Sequence, residues 1–452
     1  MKRKKKIRLM TELEEARERY CADFERFKQK AARNGGGWTY PLRKTAISRF
    51  AEVGFPTTRD EEWKYTSVAP IVKVRFRRAD PRPEGVTPRT LAQTGAGELA
   101  KNRLVFVNGH YSERLSSVGS LPGGVKVESL AAALVNDPAA VEPYLARHAS
   151  YQDHAFVALN TAFMEDGAFV HVPKGCVIDE PIHLLFVSTS NGEATVSYPR
   201  NLIVIDSDSQ VKIVESYVEV GGRVYLTNGV TEVIAGENSV IDHCKLEREN
   251  ETAFHVATLQ ARLGRSSNFV SHSITLGGAL IRNDVNVMLD GEGGDCTLNG
   301  LYLGTGERHI DNHTRIDHMK PHCVSRELYK GILDGKVKAV FNGKIVVGKD
   351  ARKTDAKQTN RNLLLSEEAT IDTKPQLEIF NNDVKCSHAS TIGRLDENAL
   401  FYLRSRGLGL ETARALLTYA FASEVVNQIK IAPVRAGLDD LLTARLQKIC
   451  QA

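Results

Sequence analysis

Hydrophobic and polar positions divide the chain into three regions with different periodicities. In the first region, apolar residues recur at helical spacing from Leu13 to Ala31. Thr11 and Glu14 fit a capping box at the start of this helix. A second, shorter helix is predicted over residues 43–52. The chain therefore begins with a helical region.

The second region, residues 155–394, is almost entirely strand-like. Short β-branched or apolar runs, such as 168–172, 201–205 and 285–289, are separated by turns rich in Gly, Asp and Asn. The series is too long for a simple sandwich and has no propeller signature. A parallel β-helix, in which one turn stacks on the next, fits this pattern best.

The third region is helical again. Apolar residues form a continuous stripe over residues 413–429, and a second amphipathic helix is predicted over residues 438–449. At the end of a solenoid, such helices cover the open end, bind a partner, or do both. The sequence does not separate these alternatives.

These patterns predict a mainly β fold with helical flanks. The predicted divisions are a basic disordered tail (1–10), an N-terminal helical region with a linker (11–100), a β-helix core (101–395) and a C-terminal helical region (396–452). Six of the 60 basic residues lie between Lys2 and Arg8, and without them the 55 acidic residues are in slight excess. This near-neutral body does not indicate a nucleic-acid partner.

Targeting signals and cysteine usage indicate a cytoplasmic protein that does not contact a membrane. No apolar run approaches the roughly 18–20 residues needed to cross a bilayer. The basic start has no apolar segment behind it, so it does not resemble a secretory signal. The seven cysteines are an odd number without a CxxC pair, which favours a reducing compartment over a disulfide framework.

Cys386 and His388 are the first candidate for chemistry. On a strand, residues two apart share a face and lie roughly 6–7 Å apart. A thiolate beside an imidazole suits zinc or an iron–sulfur species. Two ligands do not complete a metal site, so the remaining ligands must come from elsewhere.

A histidine-rich segment over residues 309–323 provides an alternative. On a strand, His309, Asp311 and His313 share a face and could hold zinc or ferrous iron with open positions, as in a metal-dependent enzyme. The other interpretation is a hydrogen-bonded ladder along the solenoid.

The segment 343–350, GKIVVGKD, is rejected as a phosphate-binding loop because Asp350 stands where a hydroxyl is needed. The chain shows no ATPase motif of its own.

Several longer strings resemble one family, in its order, over most of the chain from residue 54 to residue 421. They are GFPTTRDEEWKYT, LVFVNGHYSERLS, ALNTAF, SRELYKGIL, AVFNGKIVV, ARKTDAKQTNRNLLLS, PQLEIFNNDVKCSHAS and LFYLRSRGL. The chain resembles the SufB/SufD family of iron–sulfur cluster assembly proteins. The VKCSH string resembles SufD more closely than SufB.

This resemblance implies a fold, a function and partners. The implied fold is a right-handed parallel β-helix flanked by helical domains. The implied function is that of a non-catalytic scaffold subunit, which pairs with a SufB-like subunit through the β-helix and with a SufC-like ATPase through the C-terminal helices. ATP hydrolysis is then expected in the SufC-like partner. No tightly bound cofactor is expected in the isolated chain, only a transient iron–sulfur cluster at the SufB interface. A homodimer is a further possibility when the chain is alone.

The resemblance also assigns candidate site residues. His388 is implied to lie at the SufB interface as a cluster ligand or cluster-proximal residue, close to a SufB cysteine. Cys386 ranks second, either as a ligand or as a structural residue. The candidate SufC-binding residues lie on the third-region stripe, and they are Leu416, Leu417, Ala420, Phe421 and Val425.

Overall fold

The structure is a computed structural model that describes residues 2–31, 37–80, 85–96, 99–189 and 192–451. The elements that precede the solenoid are mostly short helices. In chain order they are α1 (Lys2–Ala31), α2 (Thr39–Val53), a 3₁₀ turn (Glu61–Trp63), α3 (Ala69–Val72), β1 (Arg77–Arg78), α4 (Pro88–Gln93), β2 (Asn102–Val107), β3 (His110–Tyr111), a 3₁₀ turn (Glu113–Leu115), β4 (Lys126–Ser129), α5 (Leu130–Asn136), α6 (Pro138–Val141) and α7 (Ala155–Phe163).

Two of these elements differ from the sequence predictions. Helix α1 begins at Lys2, so residues 2–10 are helical here and not a disordered tail; Met1 lies outside the described residues. Lysine and arginine are good helix formers, and they continue an amphipathic helix. Helix α7 occupies the start of the region predicted as strands. All of its residues are buried, so it lacks the polar face that reveals a helix in sequence.

Residues 75–94, in the predicted N-terminal helical region and linker, contain β1 and α4 in their described part. Residues 32–36, 81–84 and 97–98 of the predicted N-terminal region lie outside the described residues, as does residue 452 of the C-terminal region. Helices α1, α2 and α7 pack together through an aromatic cluster. For example, the Phe50 and Phe55 rings meet edge to face with centroids 5.0 Å apart. This cluster fixes the helical region against the start of the solenoid.

The core is a parallel β-solenoid, which confirms the predicted fold class. Its strands are β5 (Ala168–Val172), β6 (Ile182–Thr189), β7 (Thr195–Ser197), β8 (Arg200–Ile205), β9 (Gln210–Val220), β10 (Tyr225–Ala235), β11 (Val240–Arg248), β12 (Phe254–Leu263), β13 (Asn268–Thr275), β14 (Leu280–Leu289), β15 (Asp295–Gly304), β16 (His309–His318), β17 (Val324–Leu333), β18 (Lys338–Val347), β19 (Asp355–Leu364), β20 (Thr370–Ile379) and β21 (Lys385–Gly393). Within the described residues, even-numbered strands from β8 stack in one sheet and odd-numbered strands from β9 stack in the other.

One corner of successive solenoid turns has a residue with left-handed backbone. These residues are Asp208, Asn238, Ser266, Gly293, His322 and Lys353. The backbone N–H of each donates to the next turn, as from Asp208 to the Glu237 carbonyl at 2.8 Å. Residues of the Asn, Asp and Gly types tolerate this conformation best. The recurrence at one corner sets the length of a turn to about 30 residues, which is the span from Asp208 to Asn238.

The solenoid interior contains a large aliphatic cluster and, beside it, buried polar side chains. On β11, Ile241 belongs to the main hydrophobic cluster. Further along β11, the inward-facing His243 lies 3.1 Å from Glu215 and 2.9 Å from Ser271. Burial opposes ionisation of Glu247, but Lys245 and His255 outweigh it and lower the pKa of Glu247 to about 2. Paired charges thus replace hydrocarbon inside part of the solenoid.

The C-terminal helices are α8 (Glu397–Ser405), α9 (Leu410–Val426) and α10 (Ala432–Gln451). Ala422, Val425 and Val426 of α9 pack with α10 against outward-facing residues of the odd-numbered sheet, including Leu301 and Ile332. The helices α9 and α10 therefore cover a side of the solenoid and leave its end open. In the part of the chain that is described, no helix is both long and apolar enough to span a membrane.

Candidate functional site

The last turn of the solenoid is open on its outer side. Strand β21 pairs with β19, and β20 pairs with β18, but neither has a neighbour beyond it among the described residues. Strand β21 is accordingly exposed: Cys386 is half-buried, and all its other residues are exposed. Open strand edges offer unpaired backbone donors and acceptors to another chain. The end of the solenoid is therefore a candidate docking surface.

Cys386 and His388 both lie on this open turn. The register pairs Cys386 with Ala356 and His388 with Gln358, and both of these partners are buried inside the solenoid. Paired residues in a parallel ladder point the same way, so Cys386 and His388 share the inward-facing row. The alternation argument is confirmed in this respect. His388 is exposed because no further turn covers it.

Cys386 and His388 have different surroundings. The Cys386 side chain packs with Val384 and Leu377 against a small apolar cluster that contains Ala356. Burial raises the pKa of the Cys386 thiol. A protonated thiol is a weak ligand and nucleophile. The arrangement favours packing for Cys386 and leaves His388 as the accessible donor.

Large apolar side chains are exposed around the open turn. They come from β20, the loop after it, β21 and α8, and they are Ile379, Phe380, Ile392, Phe401 and Tyr402. Phe401 is 75% exposed, and no residue of α8 is buried. Exposed apolar side chains that include aromatic residues are typical of a protein–protein interface.

Residues 309–318 of the histidine-rich segment form β16, and their side chains make a different arrangement. His309, Asp311 and His313 share the outward face, as predicted. Asp311 accepts from Thr66 Oγ1 at 2.5 Å and from Arg282 Nη1 at 2.9 Å. His309 Nε2 lies 2.7 Å from Thr66 Oγ1. These side chains thus form an anchor that holds residues 54–66, GFPTTRDEEWKYT, against the solenoid. This segment is the N-terminal string.

His313 links two carboxylates in the same anchor. Its Nε2 lies 3.0 Å from Asp311 and its Nδ1 lies 3.3 Å from Glu62. Burial and Arg282 lower the pKa of His313, but the two carboxylates outweigh them and raise it. The hydrogen bond from His313 is the main cause that lowers the pKa of Glu62 to about 2. His313 is therefore held between two carboxylates that favour its protonated form.

The anchor does not support the metal-dependent enzyme. Among the described residues, no group of three His, Cys, Asp or Glu side chains is arranged to hold a metal ion. The Arg282 guanidinium already supplies the positive charge beside Asp311. The ladder interpretation, extended to the N-terminal string, accounts for His309, Asp311 and His313. The rejected loop at residues 343–350 likewise begins inside β18.

Comparisons with known proteins decide the family. The SufBD protein N-terminal region matches residues 14–184, and the SufBD core domain of the SUF system for FeS cluster assembly matches residues 186–421. An iron–sulfur cluster assembly SufBD family protein of Synechocystis is 33% identical over 414 residues, which cover 89% of this chain and 90% of the relative. The chain belongs to the SufBD family.

Relatives named SufD are among the matches of this SufBD family chain. The iron–sulfur cluster assembly protein SufD of Escherichia coli is 31% identical over 408 residues, covering 90% of this chain and 92% of that protein. The chloroplastic protein ABCI7 of Arabidopsis thaliana is 29% identical over 413 residues, covering 87% and 83%. The resemblance drawn from the motifs is therefore confirmed at the level of the family.

The candidate SufC-binding residues of this SufBD chain do not share one surface. Val425 is fully buried between α9 and the solenoid, so it cannot contact a partner in this fold. Phe421 is half-buried under Lys330, whose Nζ lies 4.1 Å from the ring centre. Leu416 and Ala420 are exposed, and Leu417 is half-buried. The apolar stripe of α9 is wider than its contact with the solenoid, so some of its residues are buried and others stay exposed.

Sequence reasoning missed the polar interior beneath the open turn. Glu327 and Gln358 are inward-facing and buried, at 4% and 1% exposure. Gln358 Nε2 donates to Glu327 Oε2 at 2.7 Å. The period-2 pattern of β17 and β19 places these residues on the inward row with Ala356 and Leu333. That alternation could have identified them, because a carboxylate and an amide on an inward row are rare.

Proposed function

We propose that this SufBD family chain is a non-catalytic scaffold subunit for the assembly of iron–sulfur clusters. In this proposal it pairs with a SufB-like subunit through its open solenoid turn. The observation that carries the proposal is the placement of His388, an exposed imidazole on the last strand, whose outer edge has no neighbour among the described residues. The nascent cluster is cargo that forms at the junction, where the partner supplies the remaining ligands beside His388.

The surroundings of His388 support a protein partner of solenoid type. The edges of β20 and β21 offer backbone groups at the spacing of a sheet, about 4.8 Å from the next strand. Exposed residues such as Ile392 and Phe401 supply apolar area next to those edges. A further pair of strands would continue both sheets and cover the row that contains His388. A second copy of this chain could occupy the same end, which would give a homodimer.

A SufC-like ATPase is proposed to bind the outer face of α9. Leu410 and Leu416 are large apolar side chains exposed on this helix. Nucleotide binding in that subunit would bias the junction between an open and a closed arrangement, admitting iron and sulfur in one of them. ATP hydrolysis is assigned to this partner. The cytoplasmic location remains a prediction.

Co-purification tests the proposal. The chain and its His388→Ala variant are each expressed with SufB-like and SufC-like partners, then reconstituted anaerobically with iron and sulfide. We expect both to form the complex, because one exposed side chain contributes within about 0.5 kcal/mol to folding. Cluster absorbance should drop in the variant. Unchanged absorbance would reduce the chain to an adaptor, and a homodimer without partner binding would contradict the pairing.

A further inference from the structure

A column of polar side chains runs from His388 along the solenoid axis, away from the open turn. His388 on β21 pairs with Gln358 on β19, and Gln358 pairs with Glu327 on β17. Adjacent strands lie about 4.8 Å apart, so successive members of this column are neighbours along the solenoid axis. The exposed imidazole therefore has a buried amide directly beneath it and a buried carboxyl one turn further in.

The amide of Gln358 is held in a defined place. Its Nε2 donates to Glu327 Oε2 at 2.7 Å. Across the interior, Gly343 leaves room for it, because a Cβ at that position would lie 2.2 Å from Gln358 Nε2. In this contact the Glu327 oxygen accepts, so the NH₂ end of the amide faces Glu327. The carbonyl end is thereby directed elsewhere.

That carbonyl end is unused. Gln358 Oε1 is buried and has no hydrogen-bond partner among the described residues. A buried acceptor without a donor costs on the order of 1–3 kcal/mol, and native structures seldom keep one without a reason. The neighbouring inward amide, Asn360, donates to Tyr302 and to the Tyr329 carbonyl and accepts from Asn362. Gln358 is therefore the member of this row with acceptor capacity to spare.

We propose that Gln358 and Glu327 are positioning residues for His388. Glu327 orients the Gln358 amide, and the free Gln358 Oε1 accepts a hydrogen bond from one N–H of the His388 imidazole. The lone pair of the other ring nitrogen is then directed toward the open turn. Ligating histidines commonly have their second nitrogen fixed in this way by a carbonyl or carboxylate. The inference rests on the proposed function for the use of the free nitrogen, but both proposed partners of the hydrogen bond are in this chain, so the bond can be tested in the isolated chain.

Histidine ring spectroscopy tests the bond without a partner or a cluster. The full chain is labelled with ¹⁵N-histidine, and long-range ¹H–¹⁵N spectra report the two neutral tautomers, with His388 assigned by its loss in His388→Gln. The variants are Gln358→Leu, Glu327→Leu and Glu327→Gln. Lys357→Ala is the control, because Lys357 is exposed and next to Gln358 in sequence. Circular dichroism confirms that each variant folds.

We expect Gln358→Leu to change the His388 tautomer ratio at least about twofold. Glu327→Leu should change it in the same direction, because the amide is then free to turn over. Glu327→Gln should restore the wild-type ratio, since its side-chain oxygen still accepts from Gln358 Nε2. An unchanged ratio in folded Gln358→Leu overturns the proposal. A change there without one in Glu327→Leu overturns the role of Glu327.

Anaerobic reconstitution with the SufB-like and SufC-like partners separates this inference from the proposed function. Cluster yield in Gln358→Leu should fall between those of the wild type and His388→Ala, while Lys357→Ala stays at the wild-type yield. If His388→Ala assembles clusters normally, the proposed function fails while the tautomer measurement still decides the bond. If His388→Ala loses clusters and Gln358→Leu does not, the positioning role is wrong.

Discussion

Arg282 Nη1 lies 2.9 Å from Asp311 Oδ2, and the two side chains are almost fully buried, at 2% and 1% exposure. The guanidinium also lies 4.1 Å from the centre of the Trp63 ring. A second ion pair joins Arg282 to Asp284 at 2.8 Å. Through these contacts, Arg282 of β14 connects Asp311 of β16 to Trp63 in the N-terminal string. The contacts explain why the histidine-rich segment is polar although it serves stability.

Replacement of Asp311 by Ala should lower the free energy of unfolding by about 2–3 kcal/mol. Breaking a buried pair leaves an uncompensated charge, and here Asp284 retains part of the compensation for Arg282. Denaturant unfolding measures the change. Asp317→Ala is the control on the same face of β16, because its partner Arg315 is half exposed and the pair should contribute at most about 1 kcal/mol. Equal losses in the two variants would contradict the anchor.

Glu327→Gln should stabilise the chain more at pH 8 than at pH 5, where about 1 kcal/mol of the ionisation cost has accrued. Burial raises the pKa of Glu327 to about 7, while Thr314 and Gln358 oppose the shift only in part. The native state therefore binds this proton more tightly than the unfolded chain, whose glutamate pKa is about 4.3. Ionisation of Glu327 weakens the native state as the pH rises from about 4.3 to 7. Above pH 7, the substitution removes an ionisation cost of about 3 kcal/mol from the native state.

Parallel denaturant titrations at the two pH values measure this difference between variant and wild type. Glu367→Gln serves as the control, because its side chain is 88% exposed. A stabilisation of the same size at pH 5 and pH 8 would mean that packing, and not ionisation, is responsible. The comparison also distinguishes Glu327 from the paired acids inside the solenoid, since Glu247 has a lowered pKa.

The sequence predicted the solenoid and its inward row because both depend on local pattern. Short runs cut by turns indicate stacked strands, and alternation puts Cys386 and His388 on one face. The open position of His388 depends on where the ladder ends, which only the pairing of β19 with β21 establishes. Helix α7 was hidden because no face of it is polar. Val425 was placed on a partner surface because a stripe does not say which neighbour it contacts.

Ile392→Lys should weaken pairing with a SufB-like partner by on the order of tenfold or more, without altering the unfolding midpoint. Ile392 is on the inward row of the open turn and 50% exposed, so a partner that continues the solenoid must bury it. A buried unpaired ammonium opposes association, and tenfold corresponds to about 1.4 kcal/mol. Val177→Lys is the matched control, with 51% exposure far from the open turn. Binding measurements in which both variants lose affinity equally would argue against this surface.

Leu416 and Val425 of α9 should give opposite results when each is changed. Leu416→Glu should weaken binding of a SufC-like ATPase and leave the unfolding midpoint unaltered, because the leucine is 47% exposed and makes little contact with its own chain. Val425→Ala should lower the free energy of unfolding by about 2 kcal/mol and leave ATPase binding intact, because it removes buried methyl groups from the contact with the solenoid. Val135→Glu on α5 is the control for an exposed apolar residue, at 53% exposure. Pull-down with the ATPase and denaturant unfolding read the two effects separately. If Leu416→Glu binds the ATPase normally and Val425→Ala does not, the binding surface must lie on the α9 face that packs on the solenoid, and the helix would have to detach from it.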